Sequence, residues 1–129
     1  MASILIVDDS LACRNATAAL LRAEGHHVTC ADNAWRGLMI LETMPVDVVL
    51  LDLLLPGLNG FGFLKDLQHG RHREVPVIVT TALDEDAALR EQGRSQVREW
   101  MVKGKYSGEE LLEAVGEVVS EGTSVASAA

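Results

Sequence analysis

The sequence predicts a doubly wound α/β domain whose core is a five-stranded parallel sheet. Runs typical of β-strands alternate with segments at helical spacing along the chain, which is the pattern of an α/β protein. Two of these runs are apolar at four consecutive positions, which indicates strands covered by helices on both faces. A length of 129 residues with 48% hydrophobic residues supports one core rather than two.

The strands are predicted wherever a short apolar run lies between turn residues. The first strand is apolar throughout Ile4–Val7, and the third is apolar at every position after Asp47. The second strand is short and the fifth is weaker. In chain order, the predicted strands are Ser3–Val7, His27–Cys30, Asp47–Leu51, Val75–Thr80 and Arg98–Val102.

The helices are predicted from apolar residues at helical spacing and from residues that begin and end helices. Gly25 is placed to end the first helix, Asn33 is an N-cap for the second, and Pro45 marks its end. Ser107 and Glu110 have the spacing of a capping box, which begins the last helix. The predicted helices run from about Ser10 to Glu24, Asn33 to Met44, Phe61 to His69, Asp84 to Gln92, and Ser107 to Glu121.

Residues 1–121 are predicted to form this single domain. The remaining residues, 122–129, are mostly small and bury too little area to order themselves. They are therefore predicted to be a flexible C-terminal tail or the start of a linker.

Charge and composition exclude several classes of function. A net charge of −8 leaves no surface-wide positive field for nucleic acid or an anionic membrane. No apolar run approaches the roughly 18 residues of a membrane span, and the N-terminus lacks the basic flank of a signal peptide, so a cytoplasmic location is expected. Cys13 and Cys30 belong to no metal or redox motif and are predicted to be reduced residues of the core.

Polar residues suited to chemistry follow four of the five predicted strands. Because the carboxyl ends of parallel strands meet at one edge of the sheet, where such folds bind ligands, we expect these residues to lie together. If strands one and three are neighbours, about 4.8 Å apart, their terminal carboxylates converge. The residues are Asp8 and Asp9 after strand one, Asp52 after strand three, Thr80 and Thr81 at strand four, and Lys103 after strand five.

Three carboxylates in one place repel one another unless a cation neutralises them. Carboxylate oxygens without nearby His or Cys favour a hard ion, and Mg²⁺ suits both such a site and phosphate. An aspartate can then attack phosphorus as a nucleophile, while the ion and a lysine offset the charge of the transferring group. Lys103 would supply that ammonium, and a threonine hydroxyl would donate to a phosphoryl oxygen.

Each of these residues also has an ordinary structural interpretation. An Asp pair after a strand commonly caps the next helix, Asp52 before a Pro-Gly loop can be a turn residue, and two threonines can simply end a strand. Lys103 can be an exposed surface residue. Their occurrence at the strand ends of one predicted sheet favours the functional interpretation.

Four motifs resemble the receiver domain of two-component response regulators, a CheY-like superfamily. The resemblance covers about Ser3 to Val119, and the motifs occur in the family's order and approximate spacing. They are Ile-Val-Asp-Asp-Ser (6–10), Val-Val-Leu-Leu-Asp-Leu-Leu-Leu-Pro-Gly-Leu-Asn-Gly (48–60), Pro-Val-Ile-Val-Thr-Thr-Ala (76–82) and Val-Lys-Gly-Lys (102–105).

The resemblance implies a role for each acidic residue at the sheet edge. Asp52 is similar to the phosphoacceptor of the family. Asp8 and Asp9 are similar to its Mg²⁺ ligands, and Asp52 itself and the backbone carbonyl of Leu54 complete the ligand set.

The resemblance also implies switch and charge-pairing residues. Thr81 is similar to the switch hydroxyl and Lys103 to the lysine that pairs with phosphate, with Thr80 and Lys105 as the alternatives. Trp100 stands where the family usually has a Tyr or Phe that turns inward with the threonine.

By the same resemblance, the fold is flavodoxin-like, with strand order 2-1-3-4-5 and five helices. Such domains are regulatory phosphoacceptors rather than enzymes, and they take a phosphoryl group from a histidine kinase or a histidine phosphotransfer domain. The face formed by the fourth helix, the fifth strand and the fifth helix then repacks toward a downstream protein partner or output domain. In this family the same face can also carry a homodimer.

The sequence departs from the family's pattern in two respects. Gly104 follows Lys103 where the family usually has a proline in a cis bond, and a cis bond before a residue other than proline costs about 2.5–4 kcal/mol, so the sequence leaves the geometry of this loop open. Leu54 and Leu83, each two residues after a site residue, cannot orient a hydrolytic water through their side chains. Slow self-dephosphorylation is therefore predicted.

Two other functions remain open from the residues themselves. One is a small Mg²⁺-dependent phosphatase or phosphotransferase that uses Asp52 as a transient nucleophile, although such enzymes usually need a cap domain. The other is a pseudo-receiver that binds partners without phosphorylation, against which the intact acid set argues.

Several other residues are predicted to have structural roles. His69 and His72 could form a metal pair, but an exposed loop is the better interpretation of this polar segment. Trp35, Met39 and Met44 are predicted to be packing residues.

Overall fold

The computed structural model describes residues 2–55, 60–82 and 96–128, with side chains described as far as residue 120. The strands are β1 (Ser3–Val7), β2 (His27–Ala31), β3 (Val48–Leu51), β4 (Val77–Thr81) and β5 (Val97–Val102). The described helices are α1 (Leu11–Ala23), α2 (Ala34–Thr43), α3 (Gly60–His69) and α4 (Gly108–Ala128).

All five strands pair in parallel in one sheet of order β2-β1-β3-β4-β5. The predicted α/β class and strand order are therefore confirmed. The helix predicted from Asp84 to Gln92 lies outside the described residues, so four of the five predicted helices are described.

The helices begin where the sequence provides a capping side chain. The Ser10 hydroxyl accepts a hydrogen bond from the Cys13 amide at 3.3 Å, which caps α1. Asn33 caps α2 in the same way, through the Arg36 amide at 2.8 Å. At α4, the predicted capping box forms in both directions, with Ser107 and Glu110 each accepting from the other's amide at 3.1 Å.

Both faces of the sheet are buried under helices. On one face, Val7 belongs to a cluster with Phe63 of α3 and residues of α2. On the other face, Ile6 packs in a cluster with Leu21 of α1 and Val115 of α4. This double coverage explains the apolar runs of the central strands, and it leaves the carboxyl edge as the place where their polar ends emerge.

Element ends differ in part from those predicted. β4 begins at Val77 rather than Val75, because the Val75 amide bonds to the carbonyl of His72 in the preceding turn and Pro76 has no amide hydrogen to donate. α4 continues to Ala128, whereas the sequence predicts that it ends at Glu121. The division between a domain over 1–121 and a tail over 122–129 stays a prediction.

Some predicted core residues lie at the surface. Trp35 and Met39 are each 66% exposed on the outer face of α2, and Met44 is also exposed, so their prediction as packing residues is wrong. Apolar periodicity cannot separate the stripe that faces the sheet from an apolar outer face. Cys13 and Cys30 are free thiols, as predicted; both are half-buried, and Cys30 packs against the core cluster that contains Ile6. Across the described ranges, no helix has the length and apolar character needed to span a bilayer.

Candidate functional site

The carboxylates predicted to converge do so at the carboxyl edge of the sheet. β1 and β3 are adjacent and in register, with Val7 opposite Leu51, so Asp8 and Asp52 leave the sheet side by side. Asp8, Asp9 and Asp52 each place a carboxylate oxygen within 4.8 Å of the others. Asp8 and Asp52 are each only 4% exposed, whereas Asp9 is open to solvent.

Lys103 joins this cluster from the end of β5. Its Nζ donates to Asp8 Oδ2 and to Asp52 Oδ2, both at 2.8 Å. Burial of the ammonium lowers its pKa, but the hydrogen bonds and charges of Asp52 and Asp8 outweigh burial and raise the pKa of Lys103 above its ordinary value of 10.5. Nearby, burial raises the pKa of the half-buried Tyr106 phenol.

The second oxygen of each buried carboxylate is held by a backbone amide. Asp8 Oδ1 accepts from the Ser10 amide at 2.9 Å, and Asp52 Oδ1 accepts from the Leu54 amide at 2.9 Å. Both bonds span two residues, the spacing of an Asx-turn. Each side chain is therefore held at both oxygens, at Oδ1 by an amide two residues further along the chain and at Oδ2 by Lys103.

Leu54 was predicted to contribute a carbonyl ligand. The contact that the structure gives is that of its amide with Asp52, and the residue is 48% exposed. The carbonyl role remains part of the proposal below.

Gly60, the first residue of α3, lies directly against the backbone that carries Asp52. Its amide donates to the Leu53 carbonyl at 3.1 Å. A Cβ at this position would overlap Leu53 Cα and approach the carbonyl oxygen of Asp52 to 2.5 Å. Only glycine permits this close approach, so α3 packs against the loop that orients Asp52.

The two threonines at the end of β4 face opposite sides of the sheet. Both are buried. Thr81 lies on the same face of β4 as Val77 and Val79, which is the face that packs with Trp100, whereas Thr80 lies on the other face with Ile78.

Thr81 and Trp100 therefore belong to neighbouring strands and the same face, since β4 pairs Val79 with Trp100 and Thr81 with Val102. The Thr81 carbonyl also accepts from the Lys103 amide at 2.7 Å. Trp100 is half-buried against the cluster under α2 and α3, and Lys105 is exposed. This arrangement supports the prediction of Thr81 rather than Thr80 as the switch hydroxyl, and of Lys103 rather than Lys105 as the lysine that pairs with phosphate.

The loop after Lys103 has a geometry that glycine allows. Gly104 has a φ of +85°, and nothing lies within 4 Å of where a Cβ would be. No peptide bond of the described residues is cis, so the Lys103–Gly104 bond is trans. The structure thus supplies the loop geometry that the sequence leaves open, and the ammonium of Lys103 contacts both buried aspartates.

The chemistry of this cluster fits a divalent cation. Three carboxylates and one ammonium leave two net negative charges, partly buried and within a few ångströms of each other. All three acids offer oxygen ligands, and no His or Cys is part of the group. Hard oxygen ligands with this residual charge suit Mg²⁺.

Two features of the site escaped the sequence analysis. The Arg14 guanidinium donates from Nη1 to the carbonyl oxygen of Asp8 at 2.8 Å, and Gly60 makes the close approach described above. Arg14 comes six residues after Asp8 and lies in the first turn of α1, which begins at Leu11. Side chains of a helix tilt toward its N-terminus, so this position directs the arginine toward the end of β1. Such spacing could have indicated the contact.

The fold brings an acid from a distant part of the sequence to His72. Glu42, at the end of α2, contacts His72 Nε2 through Oε1 at 3.1 Å and also pairs with Arg71. The hydrogen bond with His72 and the charge of Arg71 lower the pKa of Glu42 below its ordinary value. The arrangement is an exposed ion-pair group at the opposite edge of the sheet from the carboxylates, and the interpretation of this segment as an exposed polar connector fits it.

Comparison with known proteins gives a consistent family. Residues 4–116 match the family described as the response regulator receiver domain. The chain is 34% identical over 121 residues to protein PilH of Pseudomonas aeruginosa, covering 93% of this chain and 99% of PilH. It is also 34% identical to the sensory transduction protein RegX3 of Mycolicibacterium smegmatis, over 95% of this chain but 52% of RegX3.

Solved structures agree with the fold. The chemotaxis protein CheY4 of Vibrio cholerae superimposes with a TM-score of 0.83 at 26% identity, covering 92% of this chain and 98% of CheY4. The receiver domain of the Francisella response regulator 1452 gives a TM-score of 0.85 at 25% identity, covering 94% and 98% of the two chains. The chain spans nearly all of PilH but about half of RegX3. It belongs to the response regulator receiver domain family of two-component signalling systems.

Proposed function

We propose that this domain accepts a phosphoryl group on the side chain of Asp52 and that the modification switches its partner-binding face. One observation carries the proposal. Three carboxylates and an ammonium converge at the carboxyl edge of the sheet, with Asp8 and Asp52 buried and oriented at both oxygens. A preorganised charged group of this kind stabilises charge that develops during transfer.

In the proposed reaction, a carboxylate oxygen of Asp52 attacks phosphorus of a phosphohistidine donor. The new O–P bond forms as the N–P bond breaks, and the electron pair returns to the imidazole nitrogen of the donor. The Leu54 amide and the Lys103 ammonium orient the attacking carboxylate. Lys103 can follow the negative charge from the carboxylates to the phosphoryl oxygens, because its long side chain already reaches across the site.

Asp8, Asp9, Asp52 and the backbone carbonyl of Leu54 would hold Mg²⁺, which supplies positive charge against the phosphoryl oxygens when it is bound. Thr81 would then donate its hydroxyl to a phosphoryl oxygen. Because Thr81 and Trp100 share one face of neighbouring strands, movement of the hydroxyl would be felt at the indole.

Response regulators work with histidine kinases and output partners, and we propose the same classes here. The phosphoryl donor would be a histidine kinase or a histidine phosphotransfer domain, and the recipient of the signal a downstream protein or output domain. The names of RegX3 and CheY4 associate those relatives with sensory transduction and chemotaxis respectively. The cytoplasmic location expected from the sequence is part of the proposal.

A small phosphodonor such as acetyl phosphate tests the proposal directly. With Mg²⁺, the intact chain is expected to gain one phosphoryl group in mass, and hydroxylamine is expected to remove it as an acyl phosphate. Asp52→Asn should abolish the gain, whereas Asp66→Asn, which removes an exposed carboxyl from α3, should leave it unchanged. Omission of Mg²⁺ with a chelator should also prevent it.

The same assay separates the alternatives left open by the residues. Continuous release of phosphate from the donor, without accumulation of modified protein, would indicate a phosphatase. No mass gain in the presence of Mg²⁺ would indicate a phosphorylation-independent binding module. Either result would contradict the proposed function.

A further inference from the structure

We propose that Arg14 is a positioning residue. By donating to the carbonyl oxygen of Asp8, it fixes the peptide between Asp8 and Asp9 and therefore the relative positions of these two proposed Mg²⁺ ligands. The inference rests on the proposed function, because it concerns the site's affinity for Mg²⁺. It starts from the contact between the Arg14 guanidinium and the carbonyl oxygen of Asp8, at 2.8 Å. That contact is to the backbone rather than to a carboxylate, so Arg14 does not bond to the side-chain oxygens of Asp8.

Asp8 is fixed at each of its polar groups. Its amide bonds to the Ala31 carbonyl at 3.1 Å, its Oδ1 to the Ser10 amide, and its Oδ2 to Lys103. Its carbonyl oxygen, the remaining polar atom, is the one that Arg14 holds. The strand end is thus anchored on all sides, and α1 contributes the last of these anchors.

Asp9 has a different position. Its side chain is exposed, yet its carboxylate lies within 4.8 Å of the ligand atoms of Asp8 and Asp52. The peptide bond between Asp8 and Asp9 is planar, so an anchor on the Asp8 carbonyl also fixes the direction in which the chain enters Asp9. We therefore expect Arg14 to preorganise the exposed ligand through the backbone, in the manner of an outer-shell partner.

A bystander role and a positioning role for Arg14 predict opposite changes in Mg²⁺ affinity when the guanidinium is removed. A guanidinium beside a cation site repels the cation, so removal of a bystander arginine should tighten Mg²⁺ binding. Removal of a positioning arginine should weaken Mg²⁺ binding, because the free energy needed to order the ligands then reduces the free energy of binding. The sign of the change in affinity therefore distinguishes the two roles.

The test is a calorimetric titration of the full chain with MgCl₂ alone, without phosphodonor. Arg14→Met keeps the apolar stem and removes the guanidinium, and we expect it to weaken Mg²⁺ binding by about 10–100-fold. Arg14→Lys keeps the charge and one donor group, and it should bind Mg²⁺ with an affinity between those of the wild type and Arg14→Met.

Arg22 supplies a matched control on the same helix. Its Nη2 donates to the Val28 carbonyl at 2.9 Å, near the other end of α1 from the carboxylates. Arg22→Met removes the same kind of guanidinium–carbonyl bond, so it should change stability similarly but leave Mg²⁺ affinity unchanged. Thermal unfolding without Mg²⁺ first establishes that each variant is folded.

Unchanged or tighter Mg²⁺ binding by Arg14→Met would overturn the inference. If that variant does not fold, Arg14→Lys decides: wild-type affinity in this variant would overturn the inference, and reduced affinity would support it. If the wild type binds Mg²⁺ and becomes phosphorylated, and Arg14→Met behaves identically, then only the proposed role of Arg14 is contradicted. A wild-type chain that binds no Mg²⁺ contradicts the proposed function.

Discussion

Lys103 Nζ and Asp52 Oδ2 lie 2.8 Å apart although β4 separates their strands, β5 and β3. Adjacent strands are spaced by about 4.8 Å, so the lysine side chain extends across an intervening strand to reach the carboxylate. The same ammonium bonds to Asp8 at the end of β1. Lys103 and the proposed Mg²⁺ therefore counter the same negative charge, and the stability of the fold should depend on both.

Lys103→Met should destabilise the metal-free domain by about 2–4 kcal/mol, because it leaves two buried carboxylates without their cation. Mg²⁺ should recover much of that loss by replacing the missing positive charge. Urea unfolding in chelator and in Mg²⁺ measures both quantities. Lys65→Met, which removes an exposed lysine of α3, serves as the control and should have little effect. Equal destabilisation with and without Mg²⁺ would contradict this account.

The contribution of Lys103 to stability should persist to alkaline pH. Its folded-state pKa is raised above the ordinary value of 10.5, so its stabilising effect is fully present below that pH and is lost only as pH rises through the folded-state pKa. The difference in unfolding free energy between wild type and Lys103→Met should stay constant from neutral pH to about pH 10 and then decrease. A difference that already vanishes near pH 8 would show that the ion pair contributes little.

Gly60→Ala should destabilise the domain by about 1–3 kcal/mol and reduce phosphorylation of Asp52, because the new methyl group would overlap the backbone of Asp52 and Leu53. Gly116→Ala is the matched control, since nothing lies within 4 Å of its added Cβ on α4. Replacing a glycine inside a helix by alanine should stabilise by about 0.5–1 kcal/mol. Thermal unfolding and phosphodonor labelling of the two variants measure the contrast. A similar change of stability in both would show that α3 tolerates displacement from the Asp52 loop.

The residues that the sequence alone could place are those set by local rules. The carboxyl ends of β1, β3 and β5, the cap at Asn33 and the Ser107–Glu110 capping box follow from short-range patterns, and the structure agrees with them. The convergence of Asp8 with Asp52 followed from strand adjacency, a property of the whole fold class.

Contacts between distant elements were not predictable in the same way. The approach of Gly60 to Asp52 and the pairing of Glu42 with His72 depend on how α3 and α2 pack, which periodicity does not specify. The exposure of Trp35 and Met39 has the same origin, because an apolar spacing does not say which face of a helix meets the sheet.

Phosphorylation should change the environment of Trp100 through Thr81. In a Trp35→Phe background, which removes the exposed indole of α2, Trp100 is the remaining tryptophan of the chain. Its emission should move to shorter wavelength on treatment with acetyl phosphate and Mg²⁺, as the half-buried indole turns inward. Thr81→Val should still gain phosphate by mass but lose most of the spectral change. An emission spectrum that does not respond in the Trp35→Phe protein would argue against the switch role of Trp100.

The lifetime of the phosphorylated state should depend on Leu54. Leu54 is 48% exposed two residues after Asp52, and its apolar side chain cannot hydrogen-bond to a water molecule that attacks the acyl phosphate. Leu54→Asn should shorten the lifetime, because the new amide can orient such a water. The rate of phosphate loss should increase by less than the about 100-fold that a general base provides, since an amide does not take up the proton. Loss of the phosphoryl mass over time, after removal of the phosphodonor in excess Mg²⁺, gives the rate, and Leu54→Met provides an apolar control at the same position. If wild type and Leu54→Met lost phosphate faster than Leu54→Asn, the exposed leucine would not be the cause of slow hydrolysis.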